Sequence, residues 1–303
     1  MSRPEDERTL LPGTLQERAL VCLGCGGGGR AIHLFMQGKG GCGKSFCAWC
    51  LLQYVRAVLA AAQAAPGTVL AVDTDPLNQT LSSCRSLEAR HVPLHKRGAT
   101  ISAGDLDELE QELELHPEAR ICIVDVGSAV HMPLIIYMSE GGALELWAEL
   151  GFQVFVHAPL CGGEMFRDTA MGMQDMMDRF GSISFVLWHN QYFGEVLAGY
   201  RQLEHFVDTG DPRLRQIQLP RLEASTMLKT LRYVLNESLS FEDFYPPAAA
   251  QSEGGPPQPL AQLPDLDGRH CSLMDLLRIR KIRQLIFTQI EAGLTDGGRG
   301  RDV

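Results

Sequence analysis

Residues 32–45 read Ile32-His33-Leu34-Phe35-Met36-Gln37-Gly38-Lys39-Gly40-Gly41-Cys42-Gly43-Lys44-Ser45, a short apolar run feeding a glycine-rich loop. The run predicts a strand over 32–36, and the spacing after Ser45 predicts a helix over 45–62. Between them, Gly38 to Ser45 satisfies G-x-x-x-x-G-K-[ST] in the strand–loop–helix context that this motif requires. Glycines let backbone N–H groups turn inward around phosphate oxygens, and the helix N-terminus adds its positive end. Lys44 is placed to reach the β- and γ-phosphates and Ser45 to ligand Mg²⁺, with Phe46 closing the binding stretch Gly38, Lys39, Gly40, Gly41, Cys42, Gly43, Lys44, Ser45.

Working outward, the chain alternates near-continuous apolar runs with longer amphipathic stretches. Strands are expected at Thr68–Val72, Ile121–Val124, Gln153–His157 and Ser182–Trp188, and helices at Asp105–Leu115, Gly142–Leu150, Met165–Arg179 and Leu273–Ile290. Strands apolar on both faces and separated by helices indicate an α/β, doubly wound, mainly parallel sheet with helices on both sides. The expected organisation is a flexible leader over 1–30, a P-loop domain over 31–245, a proline- and glycine-rich insert over 246–268 and a docking C-terminal helix with a short tail over 269–303. In that last helix Leu273, Leu276, Leu277, Leu285, Ile286 and Ile290 are expected to face the domain.

Two strand ends carry carboxylates. Val69-Leu70-Ala71-Val72-Asp73-Thr74-Asp75-Pro76 ends in Asp73 and Asp75, and Ile121-Cys122-Ile123-Val124-Asp125 ends in Asp125. At a phosphate site such groups hold Mg²⁺ waters or orient an attacking water. Asp73 and Asp125 are therefore candidate metal partners through water. No N-K-x-D follows the late strand Val186–Asn190, which disfavours GTP.

The chain has 303 residues, 45% hydrophobic and 21% charged, so it has the material for a real core. No apolar run reaches the ~18–20 residues of a membrane span, and the start MSRPEDERTLLPG is too charged for a signal peptide. A cytosolic protein is expected. The net charge of −10 opposes non-specific nucleic-acid binding by the whole surface, leaving Arg278, Arg280, Lys281 and Arg283 as the one basic cluster for DNA. Among nine cysteines, Cys22/Cys25 and Cys47/Cys50 have zinc-ribbon spacing, but the second pair falls on the helix after the loop and reads as core. Cys42, at a helix N-terminus, is expected to have a lowered thiol pKa. Gly24 to Gly29 matches G-x-G-x-x-G, yet a strand rather than a helix follows, so the dinucleotide reading fails.

Lys39 extends the loop to K-G-G-x-G-K-S, which resembles the deviant Walker A of ParA/MinD-like ATPases. That resemblance implies that Lys39 reaches phosphate across a nucleotide-sandwich homodimer, that Asp75 positions the attacking water, that Gly127 is the γ-phosphate hinge and that Asn190 faces adenine. Lys39, Lys44 and Asp75 are then the catalytic set, with ATP and Mg²⁺ as cofactors. The segments LFMQGKGGCGKSF, AVDTDPLNQTLSS, VDVGSAVHMPLIIYMSEGG, VLWHNQYFGE and NESLSFEDF resemble, in order and spacing, the TraL-type conjugal transfer proteins over about 32–245. The resemblance implies a slow ATPase switch that works with the conjugation or secretion machinery. Val126 departs from it, standing where a polar residue is expected after Asp125. Two other readings stay open: an ATP-binding scaffold without turnover, and a P-loop kinase or ligase whose acceptor pocket uses His157, Cys161 and Glu164.

Overall fold

The computed structural model describes residues 19–65, 67–76, 78–92, 94, 102–196, 211–222, 226–245, 264–266, 268 and 270–295. Seven strands form one sheet: β1 (Arg30–Phe35), β2 (Val69–Asp73), β3 (Arg90–His91), β4 (Ile121–Asp125), β5 (Phe152–Cys161), β6 (Ser184–Asn190) and β7 (Leu214–Gln218). Their order is β3-β2-β4-β1-β5-β6-β7, and every neighbouring pair is parallel. The doubly wound α/β expectation is correct. The glycine-rich loop leaves the central strand β1, whose register sets Phe35 beside Asp125 on one side and His157 on the other.

Alternation along β1 builds two cores. Ile32, Leu34 and Met36 face a layer made by α2 (Asp107–Leu115), α3 (His131–Ser139), α4 (Ala143–Glu149) and α5 (Phe166–Arg179), where Leu109, Leu134, Trp147 and Met173 are buried. Ala31 and Phe35 face the opposite layer of α1 (Lys44–Ala61), α6 (Thr226–Asn236) and α7 (Leu273–Thr295), with Trp49, Leu231 and Ile282. Burying each of the larger side chains contributes roughly 1.5–3 kcal/mol, which is why the sheet needs both layers.

Three details differ from the sequence reading. The short β3 and β7, and helices α3 and α6, were not predicted; β3 has two residues, too short for a period to register. The leader is packed from Ala19 onward, with Ala19, Leu23 and Cys25 buried in the second core. Arg120 Nη2 donates to the Cys25 carbonyl at 2.5 Å and Arg215 to that of Cys22, so this segment is tied under the sheet. Residues 1–18 and most of 246–268 lie outside the described residues. In α7 the docking stripe is Ile279, Ile282, Ile286, Ile290 and Leu294, whereas Leu273, Leu277 and Leu285 are exposed. The isoleucines repeat at three and four residues and so hold one face without a break; the leucines at 277 and 285 sit on the other side of that stripe.

Candidate phosphate-binding site

The loop between β1 and α1 is pinned from three directions. Gln37 Nε2 donates to the Thr169 carbonyl at 3.0 Å, while its Oε1 accepts from Gly38 N at 3.1 Å, fixing the loop entrance to α5. At the exit, Asn190 Nδ2 and the Cys161 thiol both donate to the Cys42 carbonyl, at 2.9 and 3.2 Å. Gly43 caps α1 at φ +99°, and a Cβ there would lie 2.8 Å from Asn190 Nδ2, so backbone conformation and close approach both require glycine. The first N–H groups of α1 are left without intrahelical acceptors at the mouth of this loop.

Lys44 opens that helix and is only 7% exposed. Its Nζ donates to Ser128 Oγ at 2.9 Å, and no carboxylate forms an ion pair with it among the described residues. A buried ammonium whose partner is a single hydroxyl is electrostatically incomplete, and an anion completes it.

Asp125 lies at the end of β4, 1% exposed, with neither carboxylate oxygen hydrogen-bonded. Burial lifts its carboxyl to about 7, with the Ser45 hydroxyl beside it pulling the other way. An orphaned buried carboxylate next to Ser45 is the donor set that Mg²⁺ takes when substrate phosphates supply the rest. These residues fit the ion. Asp73 has other work. Its Oδ1 accepts from Asp75 N at 3.1 Å, and its Oδ2 from Leu81 N, Ser82 N and Ser82 Oγ at 3.0, 3.0 and 3.1 Å. The carboxylate clamps the turn after β2, with three donors on Oδ2 and one on Oδ1.

Asp75 sits at the rim, its Oδ1 accepting from Asn78 N at 2.9 Å. Gly127 packs directly on it: a Cβ at 127 would lie 2.9 Å from Asp75 Cα and 3.2 Å from Cγ. Thr74 joins the two strand ends, its hydroxyl donating to the Asp125 carbonyl at 3.0 Å and accepting from Gly127 N at 3.4 Å. Val126, between them, is buried in the first core.

Lys39 does not point into the loop. Its Nζ donates to Asp168 Oδ2 on α5 at 2.7 Å. Asn190, which lines the neighbouring cavity, uses Nδ2 to brace Cys42, and its Oδ1 accepts from Tyr192 N at 3.1 Å. Beside it lies a cavity of about 520 Å³, lined among others by Phe46, Tyr192, Leu219, Pro220, Leu222 and Arg232. Cys42 is fully buried and its thiol is shifted upward by that burial, so the expected low pKa is corrected.

The kinase-type acceptor pocket does not form. His157 is fully buried, bonded to His33 at 2.9 Å and to Trp188 Nε1 at 3.0 Å, and Cys161 is buried behind the loop. Cys47 and Cys50 are buried on α1, and no group of three or more metal-ligating side chains occurs among the described residues. The basic cluster on α7 is divided: Arg278 pairs with Asp275 at 3.2 Å, Arg283 lies 5.0 Å over the Phe287 ring, and Arg280 and Lys281 face outward. No described helix is long and apolar enough to cross a membrane.

Gln37, Thr74, Ser128, His131 and Asp168 all shape this site, and none carries a motif of its own. Only the position of Ser128, three residues past Asp125, hinted at a role.

No family model matches the chain. Two proteins of Escherichia coli, each named Protein TraL, are similar to it. One is 26% identical over 265 residues, covering 86% of this chain and 97% of that protein. The other is 29% identical over 217 residues, covering 70% and 86%. Among solved structures, the MinD cell division protein of Aquifex aeolicus aligns over 73% of this chain and 93% of its own, at 16% identity and a TM-score of 0.41. The MinC:MinD complex of the same organism aligns at 13% identity and 0.36. The chain is thus similar over most of its length to the two TraL proteins, and its glycine-rich loop leaves the central strand of an all-parallel α/β sheet.

Proposed function

We propose that this chain is an Mg²⁺-dependent ATP-binding protein that dimerises around ATP, hydrolyses it slowly and acts as a nucleotide switch in conjugative DNA transfer. The observation that carries the reading is Lys44, a buried ammonium at a helix N-terminus whose single hydrogen-bond partner among the described residues is the Ser128 hydroxyl. Triphosphate oxygens would complete its charge, with the loop N–H groups around them. Ser45 and Asp125 would hold the metal, which when bound neutralises charge on the β- and γ-oxygens. The nucleoside would extend into the cavity beside Phe46 and Pro220. Asp75, at the rim, would orient water.

Dimerisation is supported by the surface around the loop. Met132 on α3 and Met171 on α5 are 51% and 58% exposed, although His131 and Gly172 next to them pack on Gly38 and Gln37. Exposed apolar side chains ringing a charged mouth suit closure by a second copy. The proposed working context, conjugation or secretion machinery, rests on the TraL resemblance, and the cytoplasm is its proposed place.

The test is solution mass by light scattering on Asp75→Ala, with Mg-ADP and with Mg-ATP, alongside phosphate release by the unaltered protein. A monomer with ADP and a dimer with ATP is the expected result. A monomer in both states would sink the sandwich, and dimerisation without phosphate release would leave an ATP-binding scaffold.

A further inference from the structure

His131 is the first residue of α3, three positions after Ser128, the residue that receives Lys44. It is 7% exposed and is packed against the entrance of the phosphate loop: a Cβ on Gly38 would lie 3.2 Å from its Cδ2 and 3.4 Å from its Nε2. Its Nδ1, on the far side of the ring, is buried with no hydrogen-bond partner among the described residues. An orphaned buried N–H is rarer and costlier than an orphaned lone pair. The proton therefore belongs on Nε2, the nitrogen beside the loop. Burial above all, and then the charge of Lys44, hold the imidazole neutral, down to about 4, against a weaker pull from Asp175 on α5.

A neutral N–H donor held at this place has a specific use. The α- and β-phosphates belong in the loop and against the first turn of α1. Gly38 stands ahead of that cradle, and the β4–α3 segment is where Lys44 Nζ already reaches, which is the side of the third phosphate. We propose that His131 Nε2–H is a hydrogen-bond donor to the terminal phosphate of a bound nucleoside triphosphate, so that this residue sets the preference for triphosphate over diphosphate. The proposal rests on the nucleotide reading above and adds a residue to it. Because His131 begins α3, the contact also gives that helix, with its exposed Met132 and Ile136, a direct report of the third phosphate.

Isosteres separate the two ring nitrogens. A glutamine amide reaches about as far as Nε2, and an asparagine amide as far as Nδ1. In calorimetric titrations of the full chain with Mg-ADP and with a non-hydrolysable Mg-ATP analogue, His131→Ala and His131→Asn should weaken analogue binding about ten-fold or more. ADP binding should stay within about two-fold, and His131→Gln should keep most of the affinity for both. Thermal melts of the three variants check that each is folded. Equal losses for ADP and the analogue, or no loss for either, would overturn the role of His131 while leaving nucleotide binding intact. An unaltered protein that binds neither ligand would overturn the nucleotide reading itself.

Discussion

Lys39 Nζ and Asp168 Oδ2 stand 2.7 Å apart, so the second lysine of the phosphate loop is held by α5 of its own chain. Both side chains are about half exposed, and each shifts the other toward its charged form. Exposed pairs of this kind add little to stability, because water screens the charges and two mobile side chains must be ordered. The tie is therefore weak enough for a nucleotide on a second copy to compete for the lysine. Asp168→Ala should leave the denaturant midpoint nearly unchanged and lower the ATP concentration at which the chain dimerises. Light scattering across an ATP titration checks this; an unchanged midpoint would mean that the pair does not restrain Lys39.

Asn190 predicts a loss that is blind to the base. Its amide holds the Cys42 carbonyl at the loop exit, so Asn190→Ala leaves that buried acceptor with only the weak Cys161 thiol as donor. Removing one partner of a buried bond costs about 1–3 kcal/mol. ATP, ADP and GTP should all bind several-fold more weakly in competition assays. A selective loss of ATP relative to GTP would instead return Asn190 to the adenine.

Gly127 and Asp75 touch without space for a methyl group. Gly127→Ala should shift the Asp75 backbone or its own loop, with a cost of about 1–3 kcal/mol. Phosphate release should drop by more than ATP affinity does, because the phosphate loop itself is untouched. Steady-state turnover and equilibrium binding on the same preparation separate these effects.

The sheet interior predicts acid sensitivity. Trp188 Nε1–H donates to His157 Nδ1, which leaves the proton of His157 on Nε2 to donate to His33 Nδ1, and His33 Nε2–H then reaches the Leu23 carbonyl at 3.2 Å. Every ring nitrogen is satisfied with both imidazoles neutral. Burial drives His33 down to about 4 and His157 further. Both lie below the unfolded value of 6.5, so the unfolded chain binds more protons between those limits. Their contribution to stability is complete above about pH 6.5 and is lost as pH falls toward 4, of order 3 kcal/mol for His33 alone. Glu110, lifted to about 7 by burial under Trp147, works in the opposite direction. The denaturant midpoint should therefore be compared with that of Glu110→Gln, in which the decline below pH 6.5 should be steeper. Ring-proton shifts of His33 and His157 that titrate near 6.5 in the folded protein would refute the neutral chain.

The loop from Gly38 to Ser45, the strand carrying it and the helix after it could be read from residue order, because glycine conformation and apolar period are local properties. The same holds for the parallel sheet and for Asp125 at a strand end. Which carboxylate stays open could not be read: Asp73 and Asp125 have the same sequence setting, and only the turn at 81–82, folding back onto Asp73, tells them apart. Asn190 and Lys39 likewise met partners more than a hundred positions away, the Cys42 carbonyl of the loop and Asp168 on α5. Sequence fixes where backbone and charge can serve a phosphate. Packing between distant segments decides which of those polar groups are already satisfied, and among the described residues of this site it leaves Lys44, Asp125 and His131 incomplete.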